Sequence, residues 1–353
     1  MPTNSQSIKK TVSDLLKNTS TRNRDIISRR FGLKTGKKET LESIGTSYTI
    51  TRERVRQIEE ATLSQLRAAA QQNAEVARYV ALTKDILNES GGIAAERDLF
   101  KAFSGQEADT VVNASLVFLL AFSKDLVRVP DSDDFNAFWA VDSDTLANFK
   151  NTAATLAKIL EKSGRAIPRA DFLYLIQKHG VPSFSASGKP LSEGEVALAM
   201  NVSKNLAQNI FNEVGLASWA EIKPKGVRDK AYIVLKKSKE PKHFSEIAKL
   251  INASGFNNKK ANVQTVHNEL IKDNRFILVG RGLYALSEWG YKAGTVKDVL
   301  VDILRNSNKP LPKAVLMAKV KDARMVKENT ILLNLQDSKT FVKNSDGTYT
   351  LRG

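Results

Sequence analysis

The segment RNRDIISRRFGLKTGKKETLESIGTSYTITRERVRQIEEATLSQLR, residues 22–67, decides the fold of the N-terminal part of this chain. Its first helix is rich in Arg and Ile and is predicted to end at Gly32, because glycine suits a left-handed helix cap. After a basic loop, Thr40 is predicted to cap a second helix. Residues 48–50 then make a tight turn, and Thr51 caps a third helix. This order predicts a helix-turn-helix.

The third helix has two faces of opposite character. One is an inward stripe at helical spacings of three and four, made of Val55, Ile58, Thr62 and Leu66. The other is polar and lies near the helix N-terminus, which a recognition helix places against base edges; it carries Arg52, Glu53, Arg56 and Gln57. Arginine pairs with guanine, glutamate accepts from cytosine and glutamine pairs with adenine. We therefore predict that these four residues read bases.

Other polar residues of the segment suit the DNA backbone, where contacts fix the register without reading sequence. The candidates are Lys37, Lys38, Thr40, Thr51 and Arg54. Taken alone, a basic helix face is more often a solvated surface. The ordered combination of helix, turn and polar face favours DNA.

Three phrases of the segment, RRFGL, TLESIG and TRERVRQIE, resemble region 4 of housekeeping-type bacterial sigma factors, over residues 21–68. The resemblance implies a helix-turn-helix that reads the minus-35 promoter element, with a flank that contacts the flap of bacterial RNA polymerase. Carried over position by position, it implies base contacts for Arg52, Glu53 and Gln57, and backbone contacts for Thr40, Arg54 and Arg56. The family usually continues with Lys and Arg where this chain has Glu60, which predicts weaker distal phosphate contacts.

A short phrase recurs four times in the rest of the chain, with starts 73, 75 and 69 residues apart. Its copies are 86–90, 159–163, 234–238 and 303–307. A second helical pattern follows each copy, and each unit ends in a hairpin-like apolar stretch, clearest at 276–286 and 340–351 and looser at 126–141. The second unit offers only Leu216 to Ile222 as a strand. Helices closed by a two-stranded ribbon are typical of a winged helix.

The predicted fold class is therefore mainly α, with an N-terminal helix-turn-helix followed by four tandem winged-helix units that carry small β-hairpin wings. The predicted bounds are 1–20 for a flexible or helical lead-in, 21–72 for the helix-turn-helix, and 76–142, 146–222, 226–290 and 292–353 for the four units. The Trp residues at 139, 219 and 289 are expected to seal each wing onto its own core rather than to stack on bases.

The third unit carries the phrases KEPKHFSEI, NRF and GRGLYAL, followed by Trp289. These resemble the HARE-type winged helix, also seen as the N-terminal domain of the RNA polymerase delta subunit. The resemblance implies DNA or polymerase as the target. The basic composition predicts a second nucleic-acid surface, with simple solvation left open for each member: Lys259, Lys260, Lys272, Arg275 and Arg281. His243 is expected to cap or pack at a helix start.

Charge points to a polyanionic partner, because the formal net charge is +16 and neutralised phosphates release counterions. The charge is +7 over residues 1–70, −6 over 71–150, +1 over 151–222, +8 over 223–289 and +6 over 290–353. A duplex repels an acidic module, so residues 71–150 are expected to act as a spacer or a protein contact.

Composition narrows the class further. There is no cysteine, only three scattered histidines and no apolar run near eighteen residues, so we expect no disulfide, metal, cofactor or membrane span. The first ten residues lack a signal-peptide core, which favours a cytoplasmic, nucleoid-associated protein. No Gly-rich phosphate loop, histidine cluster or paired-carboxylate nuclease motif is evident, so we expect no enzyme, although HARE-type modules also accompany restriction nucleases.

Two functions remain. The first is a sigma-like transcription factor that reads promoter-type double-stranded DNA and engages bacterial RNA polymerase during initiation. The alternative is a nucleoid-type architectural protein that binds DNA with little sequence preference.

Overall fold

The computed structural model describes residues 5–185, 188–256, 260–291, 294–307 and 309–352. Over these residues the chain is mainly helical, with small antiparallel sheets of three strands each. The expected fold class is confirmed. None of the helices in these ranges has the length and apolar character that crossing a membrane requires.

Four helices form the N-terminal part. They are α1 (Ser5–Leu16), α2 (Thr21–Phe31), α3 (Leu41–Tyr48) and α4 (Arg52–Gln72). The predicted caps are confirmed: Gly32 follows α2 with a left-handed φ of 74°, and Thr40 and Thr51 accept hydrogen bonds at the starts of α3 and α4. The lead-in is helical from Ser5, and Arg24 fastens it by donating to the carbonyl oxygens of Leu16, Lys17 and Thr19.

Four repeated units follow, each in the order helix, strand, helix, helix, strand, strand. The first contains α5 (Ala74–Glu89), β1 (Ile93–Ala95), α6 (Glu96–Ser104), α7 (Val111–Leu120), β2 (Val127–Val129) and β3 (Phe138–Ala140). The second contains α8 (Ser143–Ser163), β4 (Ile167–Pro168), α9 (Arg169–Lys178), α10 (Glu193–Val202), β5 (Leu206–Gln208) and β6 (Glu213–Leu216).

The third unit contains α11 (Val227–Ser238), β7 (Lys242–His243), α12 (Phe244–Ala253), α13 (Val263–Lys272), β8 (Phe276–Gly280) and β9 (Leu283–Leu286), then a short 3-10 helix (Ser287–Trp289). The fourth contains α14 (Val296–Ser307), β10 (Leu311–Pro312), α15 (Lys313–Ala323), α16 (Glu328–Leu335), β11 (Phe341–Lys343) and β12 (Thr348–Leu351). In every unit the last strand lies between the other two. The winged-helix identity of these units stays a prediction.

The predicted strand of the second unit, Leu216 to Ile222, is wrong. The hairpin lies earlier, with Leu206 paired to Leu216 and Gln208 paired to Val214, while residues 217–222 form turns and bends. The hairpin was missed because β5 is a short strand set among polar residues and β6 is interrupted by Gly215, so neither shows a clear apolar alternation.

The chain forms two compact bodies. The N-terminal body comprises residues 1–208 with 214–217, and the C-terminal body comprises 209–213 with 218–353. In the C-terminal body the third and fourth units each have their own core, centred on Leu235 and Ile247 in one and on Leu300 and Leu316 in the other.

In the N-terminal body, α7 is the centre of a core shared by the helix-turn-helix and the first unit. Every residue of α7 from Asn113 to Leu120 is buried. The ring of Phe118 meets Phe31 of α2 with centroids 5.2 Å apart, edge to face. Ile8 of α1 and Leu66 of α4 belong to the same apolar cluster. The helix-turn-helix is therefore packed directly on the acidic first unit rather than tethered to it.

Truncation of Phe118 tests the shared core. We expect Phe118→Ala to cost about 3–5 kcal/mol of unfolding free energy, because the side chain is completely buried and the cavity cannot fully collapse. Hydrogen exchange should show α2 and α5 losing protection together. Leu316→Ala in the fourth unit, equally buried, is the control and should leave both helices protected. Loss of protection in α5 alone would mean that the two parts fold separately.

Candidate nucleic-acid interface

A small apolar cluster sets the angle between α3 and α4. Ile26 of α2, Ile44 of α3 and Val55 of α4 are completely buried. Leu41, Tyr48, Ile50 and Ile58 pack around them, partly buried. The aliphatic edge of α4 is thus covered, and its opposite face points to solvent.

The turn between α3 and α4 depends on Gly45. The Ile50 N–H donates to the Gly45 carbonyl oxygen at 3.0 Å, and Thr49 adopts a left-handed φ of 55°. A Cβ on Gly45 would lie 2.7 Å from the Ile50 carbonyl oxygen, closer than van der Waals contact allows. Only glycine lets α4 start this close to α3.

The predicted base-reading residues lie together on the exposed face of α4. Arg52, Glu53, Arg56 and Gln57 are all exposed. Arg56 bridges two carboxylates: its Nε and Nη2 donate to Glu53, at 2.7 Å from Nη2 to Oε1, and its Nη1 pairs with Glu60. The Arg56 hydrogen bonds lower the pKa of Glu53, and the two carboxylates raise the pKa of Arg56. Both groups are therefore charged at neutral pH.

Two further members of this face differ in their contacts. Arg54 donates from Nη1 to Gln57 Oε1 at 3.1 Å, which orients the Gln57 amide. Arg52 makes no side-chain hydrogen bond within the described ranges. On this face, the Arg52 guanidinium is thus free to bind a ligand, whereas Arg54 and Arg56 are paired with neighbouring side chains of the same helix.

The two capping threonines keep a donor for a ligand. Thr40 Oγ1 accepts from the Ser43 N–H at 3.1 Å, and Thr51 Oγ1 accepts from the Arg54 N–H at 3.2 Å. Both residues are exposed. Because a hydroxyl carries one donor besides its acceptor sites, each can cap its helix and still donate to a phosphate oxygen.

The two lysines predicted to contact the backbone are placed differently. Lys37 is exposed. Lys38 Nζ lies 3.8 Å from Glu96 Oε1 on the first unit, and burial lowers the pKa of Lys38. Glu96 also receives a bidentate bond from Arg128, at 2.6 and 2.8 Å, and one from the Trp139 indole at 3.1 Å. Lys38 is thus partly committed to holding the helix-turn-helix on the first unit.

Sequence reasoning missed the role of two arginines in α2. Arg29 makes a bidentate pair with Glu39, at 2.9 and 2.6 Å, and this hydrogen bonding lowers the pKa of Glu39. Arg30 pairs with Glu59 at 2.8 Å and donates to the Glu39 carbonyl oxygen at 2.6 Å. Together they fix the basic loop against α4. The available signal was Glu39 at the end of the loop and Glu59 on α4, the two carboxylates with which these arginines pair.

The residues predicted to form a second nucleic-acid surface on the third unit differ in their surroundings. Lys260, Lys272 and Arg281 are exposed, and Lys259 lies outside the described residues. Arg275 is bound by Asp273 and Asp229, at 2.7 and 2.9 Å, so two carboxylates already balance its charge. His243 caps α12 by accepting from the Ser245 N–H, as expected.

Gly45 gives a direct test of the interface geometry. We expect Gly45→Ala to lower the unfolding free energy of the helix-turn-helix by about 1–3 kcal/mol, because the new methyl group overpacks the turn. Gly194→Ala is the matched control: Gly194 is helical, and no atom lies within 4 Å of its added Cβ, so stability should be unchanged or slightly higher. Thermal melts of both variants measure the difference. Equal melting would show that the turn does not need glycine.

Known proteins match this part of the chain. Residues 15–68 match the family model described as Sigma-70, region 4. The chain is similar to the RNA polymerase sigma factor SigA of Microcystis aeruginosa and to that of Synechocystis sp., each 42% identical over 60 residues, which is 17% of this chain and 14% of the relative. The SigA protein of Nostoc sp. is equally identical, with 15% of its length covered. The chain thus spans about one seventh of the length of these relatives, and residues 15–68 contain a sigma region 4 helix-turn-helix.

Proposed function

We propose that this protein is a sequence-specific transcription factor, in which the helix-turn-helix reads promoter-type duplex DNA during initiation by RNA polymerase. The observation that carries the proposal is the exposed polar face at the start of α4. It is held outward by the buried edge of Ile44 and Val55, within a segment that matches sigma region 4.

In this proposal Arg52, Glu53 and Gln57 contact base edges. Arg52 is uncommitted, and Gln57 is oriented by Arg54. Arg56 joins them by exchanging its carboxylate partners for a base or a phosphate. The exchange costs little because its side chain is about half exposed, 46%, and exposed ion pairs contribute little to stability.

Lys37, Thr40, Thr51 and Arg54 supply the backbone contacts of the proposed complex. All four are exposed, and the two threonines lie at the starts of α3 and α4. Hydroxyl and ammonium donors at these places fix the register of α4 on the duplex. Lys38 contributes mainly through its pairing with Glu96.

RNA polymerase is the proposed protein partner, because the matching relatives are RNA polymerase sigma factors. The winged-helix units, with the HARE-type resemblance of residues 226–290, are proposed to contact polymerase or further DNA. A pull-down of bacterial RNA polymerase by the full chain tests this part.

An architectural role with little sequence preference is the second candidate. It is favoured by the charge of the two last units, +8 over residues 223–289 and +6 over 290–353. Such a protein would show a steep salt dependence and no preferred site.

Base reading is tested with Arg52→Ala and Gln57→Ala on a duplex library from which the preferred site of the unaltered chain has been selected. Each variant should lose about 1–3 kcal/mol on that site, roughly 5- to 150-fold in Kd, because one base-edge pairing is lost. Affinity for unrelated duplexes should change little. Fluorescence anisotropy measures both.

Arg67→Ala is the control, since Arg67 is exposed on α4 far from the helix start; it should not alter the preference among sequences. If the unaltered chain selects no sequence from the library, base reading is refuted and the architectural candidate stands.

A further inference from the structure

Arg324 is a buried guanidinium with unused donors. It follows α15 in the fourth unit and is 5% exposed. Its Nη2 donates to the Leu278 carbonyl oxygen of β8 at 2.6 Å. Its Nε and Nη1 are also buried and have no acceptor within the part of the chain that the structure describes. Such groups are rare in folded proteins, because each lost hydrogen bond with water goes uncompensated.

The carboxylates nearby do not pair with this guanidinium. Asp298 of α14 faces Arg324 electrostatically, but its Oδ2 accepts from the N–H and hydroxyl of Thr295, both at 2.7 Å. Glu328 at the start of α16 pairs with Lys321. Burial therefore dominates and lowers the pKa of Arg324. The positive charge lacks a direct anionic partner among the described residues.

The segment that follows Arg324 adds more donors. Residues 324–327 are neither helix nor strand. In the described ranges, none of the backbone N–H groups of residues 325–329 donates a hydrogen bond. Lys327 occupies the N-cap of α16 and gives no side-chain cap. Several N–H groups and the positive end of the α16 dipole are thus presented together, an arrangement that suits an anion.

The third unit brings one more cation to this place. The Met325 carbonyl oxygen packs on Gly280 so closely that a Cβ there would lie 2.9 Å from it. The next residue, Arg281, is exposed at the tip of the same wing. Arg281 follows Gly280 and Arg324 precedes Met325, so each arginine is next in sequence to this close backbone contact, and Lys327 comes two residues after it.

We propose that residues 324–329, with Arg281, form a binding site for a phosphate group, supplied either by a nucleic-acid backbone or by a free phosphate ion. Phosphate matches the set because it has several acceptor oxygens for guanidinium and backbone N–H donors. Binding moves the segment 324–327 off the wing, so that the guanidinium exchanges the Leu278 carbonyl for phosphate oxygens. The segment can move because, among the described residues, the backbone N–H groups of residues 325–327 donate no hydrogen bond; only the Arg324 N–H does, to the Val320 carbonyl oxygen.

The test uses the full chain and the variant Arg324→Met, which keeps an apolar stem and removes the charge. In chloride buffer of matched ionic strength, Arg324→Met should melt about 2–4 °C higher, because a buried unpaired charge is gone. Inorganic phosphate should raise the melting temperature of the unaltered chain in a saturable manner. For Arg324→Met, the affinity for phosphate should fall about tenfold or more, because a charged hydrogen bond is lost.

Two more variants keep the test decisive. Lys327→Gln changes an exposed residue, so it should weaken phosphate binding without changing the melting temperature in chloride. Arg305→Met, at an exposed position of α14, should change neither. A 20-base-pair duplex without the preferred site is the second arm: if Arg324→Met lowers its affinity and its salt slope, the phosphate belongs to a nucleic-acid backbone.

Phosphate stabilisation without an effect on the duplex identifies a free phosphate ion. A phosphate response that is equal in the unaltered chain and Arg324→Met overturns the proposal, as does the absence of any saturable response. A lower melting temperature of Arg324→Met in chloride also overturns the proposal. It would mean that the guanidinium stabilises the protein without phosphate, through its contact with Leu278. These outcomes are independent of base reading by α4.

Discussion

The burial of α7 is the constraint on which the N-terminal body depends. A helix with a wholly buried stretch from Asn113 to Leu120 must be covered on all sides, because exposed apolar surface costs about 25 cal/mol per Å². The sheet and helices of the first unit cover part of it. The remainder is covered by α1, α2 and the far end of α4, through Ile8, Phe31 and Leu66. In this body the helix-turn-helix completes the core of its neighbour.

This packing defines which faces remain for a ligand. In the first unit, α7 takes the place that α13 and α16 take in the later units. Because α7 is buried, it is not available to bind a ligand. The apolar surfaces of the helix-turn-helix are buried against the first unit and in its own small cluster around Ile44. What remains exposed is the polar side of α3 and α4, where Thr40, Thr51 and Arg52 lie.

Local and periodic features could be predicted from the sequence. Two such features are the caps of α3 and α4 and the inward stripe of Val55 and Leu66. Both depend on residues a few positions apart, so the local sequence is enough to predict them. The four repeated units were visible for the same reason, since each repeats one short helix phrase. The hairpin of the second unit was not, because Gly215 and its polar neighbours hide the alternation.

Features made by distant residues could not be predicted. Glu96 pairs with Arg128, which is 32 positions away in sequence, and with Lys38 of the loop before α3. Arg324 meets Leu278 across 46 positions. Helix propensity and residue spacing do not predict these contacts, because the contacts depend on how whole helices and strands pack together. Arg275 shows the limit at a candidate site. Its basic surroundings in sequence suggested a phosphate contact, whereas the structure pairs it with Asp273 and with the distant Asp229 of α11.

The placement of charge in the N-terminal body has a kinetic consequence. Residues 1–70 carry +7 and residues 71–150 carry −6, and the two regions share one apolar core. Such a body is a permanent electric dipole. In the field of a polyanion it experiences a torque as well as an attraction, so diffusional encounters are biased toward approach by the basic end. Added electrolyte would remove this alignment first, before it weakened contacts already made.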